Sequence, residues 1–180
     1  SAAHFYLAQD AERRGDNEDA IRHYLEIRPG QMFMASITRA AELIIASRGI
    51  EALGEPLAEL RRRWVAQALP LTLLESELRV EKGDLAGAQR LLDAALAATP
   101  AEPGLLYARS MVSERRGDIA AMERDLRAML RLDPDSALAM NALGYSLANL
   151  TERHTEALAL IERALALKPD DPAIIDSIGW

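Results

Sequence analysis

Apolar residues recur at helical spacing in paired segments along the chain, without the alternation of apolar and polar positions typical of a half-buried strand. On either side of Gly83, for example, apolar residues lie at positions 73, 74 and 78 and at positions 91, 92, 95 and 96. The second segment of three such pairs ends before a proline (Pro100, Pro134 and Pro169), where a helix cannot continue. The pattern predicts an all-α chain built from pairs of helices.

Four of the ten glycines, Gly15, Gly49, Gly83 and Gly117, lie at a constant spacing of 34 residues. An aspartate follows three of them, at Gly15, Gly83 and Gly117. Glycine tolerates the left-handed backbone that ends a helix, and aspartate caps the free amides of the helix that follows. Each Gly-Asp pair therefore predicts the turn of a helical hairpin, and the fixed period predicts a repeat array.

Small residues recur where paired helices would contact each other, and larger ones recur between them. The small residues are Ala8, Ser76, Ser110 and Gly144 on first helices and Ala20, Ala88, Ala95, Ala157 and Ala164 on second helices. The larger residues, which would fill the space toward the next hairpin, are Tyr24, Leu92, Leu126 and Ile161. This arrangement resembles the tetratricopeptide repeat (TPR) family over essentially the whole chain.

The resemblance implies a right-handed superhelical solenoid of antiparallel helix-turn-helix repeats forming a single array over residues 1–180. The repeat units are predicted at 1–34, 35–68, 69–102, 103–136 and 137–171, with the start of a further repeat at 172–180. We expect this array to be a segment of a longer chain.

Some units depart from the repeat pattern. The unit 35–68 is degenerate, because Gly54 and Pro56 fall in its second helix and Arg61 takes a normally small position. We expect a shortened helix beginning at Pro56, since proline is tolerated at the first helical position. Met122 also stands where a small residue is expected, although the adjacent Ala121 could take that contact position after a slight rotation of the helix.

Composition narrows the functional classes. The net charge of −7 argues against a nucleic-acid surface, which needs a basic stripe. The one basic run, Arg61–Arg62–Arg63, could contact an acidic partner or lipid headgroups, but a solvated helix face is the favoured interpretation. No apolar stretch is long enough to span a bilayer.

The sequence carries no recognisable catalytic pattern. There is no cysteine, which excludes disulfides, thiolate metal ligands and a cysteine nucleophile. His4, His23 and His154 lie far apart in sequence with no carboxylate at metal-ligand spacing, and structural roles are expected for them. No pair of carboxylates has a sequence pattern that indicates a general acid and a general base. We therefore predict a protein that is not an enzyme and that uses neither a cofactor nor a metal.

In the TPR family the first helices line the concave face of the superhelix. When the repeat positions that line this face in the family are matched to this sequence, they predict a protein-binding groove. Its residues are Phe5, Gln9, Arg39, Leu43, Leu73, Glu77, Tyr107, Met111, Asn141 and Tyr145. Apolar residues at positions expected to face water commonly mark a binding site; the alternative is that these are only the exposed faces of packed helices. The absence of lysine from the set disfavours a clamp for a terminal carboxylate, and an extended or helical segment with apolar anchors fits better.

Three stretches near the C-terminus, at 141–145, 156–164 and 170–180, resemble TPR lipoproteins of Gram-negative bacteria. One such group includes an outer-membrane adaptor of a periplasmic C-terminal processing protease. This resemblance implies a scaffold that recruits substrates to the protease or activates it. Its lipid anchor would lie outside this sequence, on the periplasmic side of the outer membrane; otherwise a cytoplasmic location is expected.

A second hypothesis is a self-associating assembly element that stacks through the helix faces near Phe5 and Trp180. Both hypotheses make the partner a protein or peptide, such as a protease and its substrates, or another copy of the chain, and neither involves nucleic acid.

Overall fold

The computed structural model describes residues 2–178, and every regular element in that range is helical. The described residues form two compact units, which divide between Asp84 and Leu85. The first unit contains α1 (Ala2–Arg13), α2 (Asn17–Leu25), α3 (Phe33–Arg48), α4 (Gly54–Arg63) and α5 (Ala68–Glu81). The second contains α6 (Leu85–Ala98), α7 (Pro103–Arg115), α8 (Ile119–Leu132), α9 (Ala137–Leu150), α10 (His154–Leu167) and α11 (Pro172–Ile178).

The glycines of the predicted turns have the expected backbone conformation. Gly15, Gly83 and Gly117 adopt positive φ angles of 77°, 79° and 75°, a conformation that costs glycine little. After two of these turns the aspartate accepts a hydrogen bond from a backbone amide of the next helix: Asp16 from Asp19 at 3.1 Å and Asp118 from Ala121 at 3.0 Å. These features depend on residues that are close together in the sequence.

The cores of both units follow the predicted alternation of small and large residues. Ala8, Ala20, Ala88, Ala157 and Ala164 are buried, and so are the larger Tyr24, Leu92, Leu126 and Ile161. At the position where Met122 replaces a small residue, Met122 and Ala121 are both buried. The packing therefore accommodates the larger side chain rather than excluding it.

The degenerate repeat differs from its expected form. After Gly49 the chain makes a 3₁₀ turn over Ile50–Leu53, and α4 begins at Gly54. The helix thus begins two residues before Pro56, the predicted first residue. The amides of the first helical turn have no partner within the helix, so the missing N–H of proline removes no hydrogen bond there.

Charged residues are buried where this irregular repeat meets the next helix. The side chain of Glu75 in α5 is only 2% exposed, and it accepts hydrogen bonds from Arg79 at 2.9 Å and from Arg61 at 2.8 Å. Arg61, at a position that is normally small, therefore forms an ion pair between α4 and α5.

The helices α9 and α10 approach each other closely at Gly144. A Cβ atom at this position would lie 2.9 Å from the carbonyl oxygen of Ala157 and 2.7 Å from Cγ1 of Ile161. The turn between these helices uses a hydrogen bond from the Arg153 amide to the Thr151 hydroxyl, at 3.1 Å, in place of a Gly-Asp pair. No helix among the described residues has both the length and the apolar character needed to cross a membrane.

Candidate functional site

The second unit contains a cavity of about 720 Å³ that we name the α7–α9–α11 cavity after the helices that line it. Its larger apolar side chains are Tyr107, Met111, Leu138 and Tyr145, and its polar ones include Glu114, Asn141, Ser146 and Asp176. The four residues predicted for this part of the groove, Tyr107, Met111, Asn141 and Tyr145, therefore come together at one site. Its volume is within the range of about 300–1,000 Å³ typical of ligand pockets.

Apolar surface in this cavity faces solvent. The side chains of Tyr145 and Leu138 are 41% and 50% exposed, whereas Tyr107 and Met111 are half-buried. Burial raises the pKa of Tyr107, and the charge of Glu114 adds to the effect. The Tyr107 side chain combines an apolar ring with a hydrogen-bonding hydroxyl, as interface tyrosines commonly do.

The polar groups of the cavity are only partly satisfied. The hydroxyl of Ser146 in α9 donates a hydrogen bond to Glu114 in α7 at 3.0 Å. The Oδ1 atom of Asn141 is buried and accepts no hydrogen bond from any described residue. Asp176 on α11 is exposed and takes part in none of the ion pairs found over residues 2–178.

The first unit contains a separate cavity of about 740 Å³, named here the Glu12 cavity. It brings together Phe5, Gln9 and Arg39, the predicted groove residues of this region, with Tyr24 and Glu12. Glu12 accepts hydrogen bonds from the Tyr24 hydroxyl at 2.6 Å and from two Arg39 nitrogens at 2.6 and 2.9 Å. An ion pair and an aromatic side chain thus lie together at its surface.

This network changes the pKa values of its members. The hydrogen bond from Arg39 lowers the pKa of Glu12, and the hydrogen bond from Tyr24 acts in the same direction. Burial, followed by the hydrogen bond to Glu12 and its charge, raises the pKa of Tyr24 to about 12. Because the folded pKa of Tyr24 lies above its ordinary value of 10.0, its contribution to stability is complete below pH 10 and is lost as the pH rises through 12.

We expect a spectrophotometric titration of phenolate absorbance to show one tyrosine that ionises near pH 12, and this step to be absent from Tyr24→Phe. In Glu12→Gln the step should move to lower pH, because the carboxylate charge is lost while the burial remains. Tyr6→Phe is the matched control, since Tyr6 is 67% exposed and its removal should leave the late step in place. If Glu12→Gln left the late step at the same pH, the carboxylate would have no part in the shift.

Three predicted groove residues do not line either cavity. Leu43 is only 7% exposed and belongs to the core of the first unit, so its expected position on an open face is wrong. The buried residues of α3 extend from Phe33 to Ile44 and include Leu43, which belongs to the same core cluster as Leu53 of the 3₁₀ turn. Leu73 is half-buried and Glu77 is exposed.

The structure also brings together residues that the sequence does not connect. The Nδ1 atoms of His4 and His23 lie 3.1 Å apart across the α1–α2 hairpin, although the residues are 19 positions apart. The antiparallel pairing of helices in a hairpin was the one signal that could have placed them side by side. No group of three or more residues suited to metal binding occurs over the described range.

Leu138 and Asp176 line the α7–α9–α11 cavity but lay outside the predicted set. Leu138 is three positions before Asn141 and so shares its helix face, a signal that was present in the sequence. Asp176 belongs to α11, a helix for which no groove residue was predicted.

Comparison with known protein families identifies this architecture. A family model described as tetratricopeptide repeat matches residues 73–122 and 114–172, which together cover more than half of the chain. The chain belongs to the tetratricopeptide repeat family. The TPR repeat-containing protein PA4667 of Pseudomonas aeruginosa is 38% identical over 179 residues, or 99% of this chain. The chain spans about 30% of the length of that relative.

Solved structures show the same fold. The thermophilic TPR protein TTC0263 of Thermus thermophilus has a TM-score of 0.63 at 21% identity, with 99% of this chain and 97% of that chain covered. YrrB, a TPR protein with an unusual peptide-binding site, has a TM-score of 0.63 at 16% identity, with 98% and 91% covered.

Proposed function

We propose that this chain is a protein-binding scaffold, and not an enzyme, that holds a segment of a partner polypeptide in the α7–α9–α11 cavity. The observation that carries the proposal is the convergence of Tyr107, Met111, Leu138 and Tyr145 on one partly exposed apolar surface. A TPR fold supports protein–protein interaction, and the peptide-binding site of the similarly folded YrrB is consistent with a peptide ligand. The Glu12 cavity is a second candidate contact.

At a finer level, we assign the scaffold the role of an adaptor in the bacterial cell envelope. Its partners would be a periplasmic C-terminal processing protease and the substrates that it recruits, and a lipid anchor would hold it on the periplasmic side of the outer membrane. Support comes from the resemblance of 141–145, 156–164 and 170–180 to Gram-negative TPR lipoproteins. The similarity to a Pseudomonas aeruginosa protein over 99% of the chain is in keeping with that origin.

The proposal predicts that Tyr107→Ser together with Tyr145→Ser weakens partner binding by at least about tenfold, because buried aromatic anchors commonly contribute about 2 kcal/mol or more to an interface. Crosslinking in cells followed by mass spectrometry would identify the partner, and fluorescence anisotropy would measure its affinity for each variant. Tyr6→Ser is the matched control, since it removes an exposed tyrosine from the first unit outside both cavities. Equal affinities of the double variant and the unchanged protein would exclude this cavity as the binding site.

Self-association is the second candidate, and the exposed apolar side chains of α10 and α11 favour it. Leu158, Ile175 and Ile178 are 51%, 50% and 39% exposed. Light scattering across a concentration series separates the two functions. Stacking predicts a mass that rises with concentration, whereas the adaptor predicts a constant mass.

A further inference from the structure

The α7–α9–α11 cavity is acidic, and none of the described residues that line it is basic. Its charged residues are Glu114 on α7 and Asp176 on α11, on either side of the apolar residues contributed by α9. Neither carboxylate takes part in an ion pair with any residue in the described range 2–178. Glu114 accepts one hydrogen bond, from the neutral hydroxyl of Ser146, which leaves its charge unbalanced.

Three other partly or fully buried carboxylates of the second unit have arginine partners. Buried Asp125 accepts hydrogen bonds from Arg109 at 2.7 and 2.8 Å. Glu123 and Glu156, both partly buried, pair with Arg153 at 2.8 and 2.6 Å. The two cavity carboxylates, in contrast to these three, form no ion pair with any residue in the range 2–178.

In the Glu12 cavity of the first unit, by contrast, the acidic residue has a basic partner. There Glu12 is held by Arg39 at 2.6 Å, and Arg13 also lines the cavity. Of the two cavities, only the α7–α9–α11 cavity therefore carries negative charge without an ion-pair partner over residues 2–178.

A hydrogen-bond acceptor in the same cavity also lacks a donor. The Oδ1 atom of Asn141 is buried without a partner among the described residues. A buried acceptor left unsatisfied costs about 1–3 kcal/mol. Ionised carboxylates only accept hydrogen bonds, so the group that the two acids of this site lack is a positively charged donor.

We propose that the occupant of the α7–α9–α11 cavity is a polypeptide segment that combines apolar side chains with lysine or arginine, an inference that rests on the function proposed above. The apolar side chains pack against Tyr107, Leu138 and Tyr145, and the cationic groups lie near Glu114 and Asp176. Complementary charge of this kind speeds association and selects against like-charged ligands. The site is thus matched to basic segments and repels acidic ones.

The test begins with an array of immobilised peptides of randomised sequence, probed with the full chain and with Tyr107→Ser/Tyr145→Ser. Peptides that bind only the unchanged protein report on this cavity. We expect these peptides to be enriched several-fold in lysine and arginine over aspartate and glutamate. The strongest of them, resynthesised with glutamate at each basic position, should bind at least about tenfold more weakly, and the difference should shrink as salt is added.

A second pair of variants isolates the carboxylates. Glu114→Gln/Asp176→Asn keeps the shapes of both side chains, and it should reduce the preference for the basic peptide to less than about threefold. Glu162→Gln/Asp170→Asn makes the same change in net charge at exposed positions outside the cavity and should keep the full preference.

The outcomes distinguish the two proposals. If no peptide depends on Tyr107 and Tyr145, both the proposed binding function and this inference are wrong. If tyrosine-dependent peptides are found without excess basic residues, or if the two charge variants behave alike, only the inference about charge is overturned.

Discussion

Replacement of Glu75 by alanine is expected to lower the free energy of unfolding by about 3–5 kcal/mol, the range observed when one member of a buried ion pair is removed. Glu75 is 2% exposed and accepts hydrogen bonds from arginines of two helices. Without it, Arg61 loses the acidic group that it contacts while its side chain remains only 18% exposed. Arg79 keeps Asp84 at 2.5 Å, so most of the loss should arise at Arg61.

Urea denaturation of the full chain, followed by far-ultraviolet circular dichroism, would measure the effect. Glu59→Ala is the matched control: its pair with Arg62 is 63% and 61% exposed, and the loss of such an exposed pair costs about 1 kcal/mol or less. Glu75→Gln keeps an acceptor oxygen but removes the charge, so its loss of unfolding free energy should lie between those of Glu75→Ala and Glu59→Ala. If Glu75→Ala lowered the free energy of unfolding no more than Glu59→Ala does, the packing of α4 against α5 would not depend on the buried charges.

The repeat spacing predicted much of this architecture because the turns depend on local backbone chemistry. Gly15, Gly49, Gly83 and Gly117 all have positive φ angles, and each lies directly after a helix or one residue beyond its end cap. This backbone conformation favours glycine whatever the rest of the chain contains, so the turn positions can be predicted from the local sequence alone. The aspartate caps at Asp16 and Asp118 followed from the same local rule.

Contacts between repeats were harder to predict, because they depend on which surfaces meet. Leu43 fitted the register of an open face, but it is buried in a core cluster that also contains Leu53 of the 3₁₀ turn. Arg61 likewise departed from the repeat pattern, and the sequence alone did not reveal Glu75 as its buried partner. The charges of Glu114 and Asp176 became informative only once both were found in one cavity.

Replacement of Gly144 is expected to destabilise the second unit even though glycine is a poor helix former. Alanine in place of a mid-helix glycine normally adds up to about 1 kcal/mol of stability. Here the added Cβ would lie 2.9 Å from the backbone oxygen of Ala157, and no side-chain rotation can relieve that contact. The helices α9 and α10 must separate, at a typical overpacking cost of about 1–3 kcal/mol. Gly144→Val, which adds two further methyl groups, should reach the upper end of that range.

Gly54→Ala is the control, because its Cβ would meet only the side chains of Arg79 at 3.4 Å and Glu75 at 3.8 Å. Its effect on the melting temperature should be small, whereas Gly144→Ala should lower it and Gly144→Val should lower it further. A rise in the melting temperature for Gly144→Ala would mean that helix propensity outweighs the contact and that α9 and α10 are not so closely packed. Because α9 also carries Asn141 and Tyr145, its displacement by valine should weaken peptide binding along with stability, which would connect the packing of this hairpin to the geometry of the cavity.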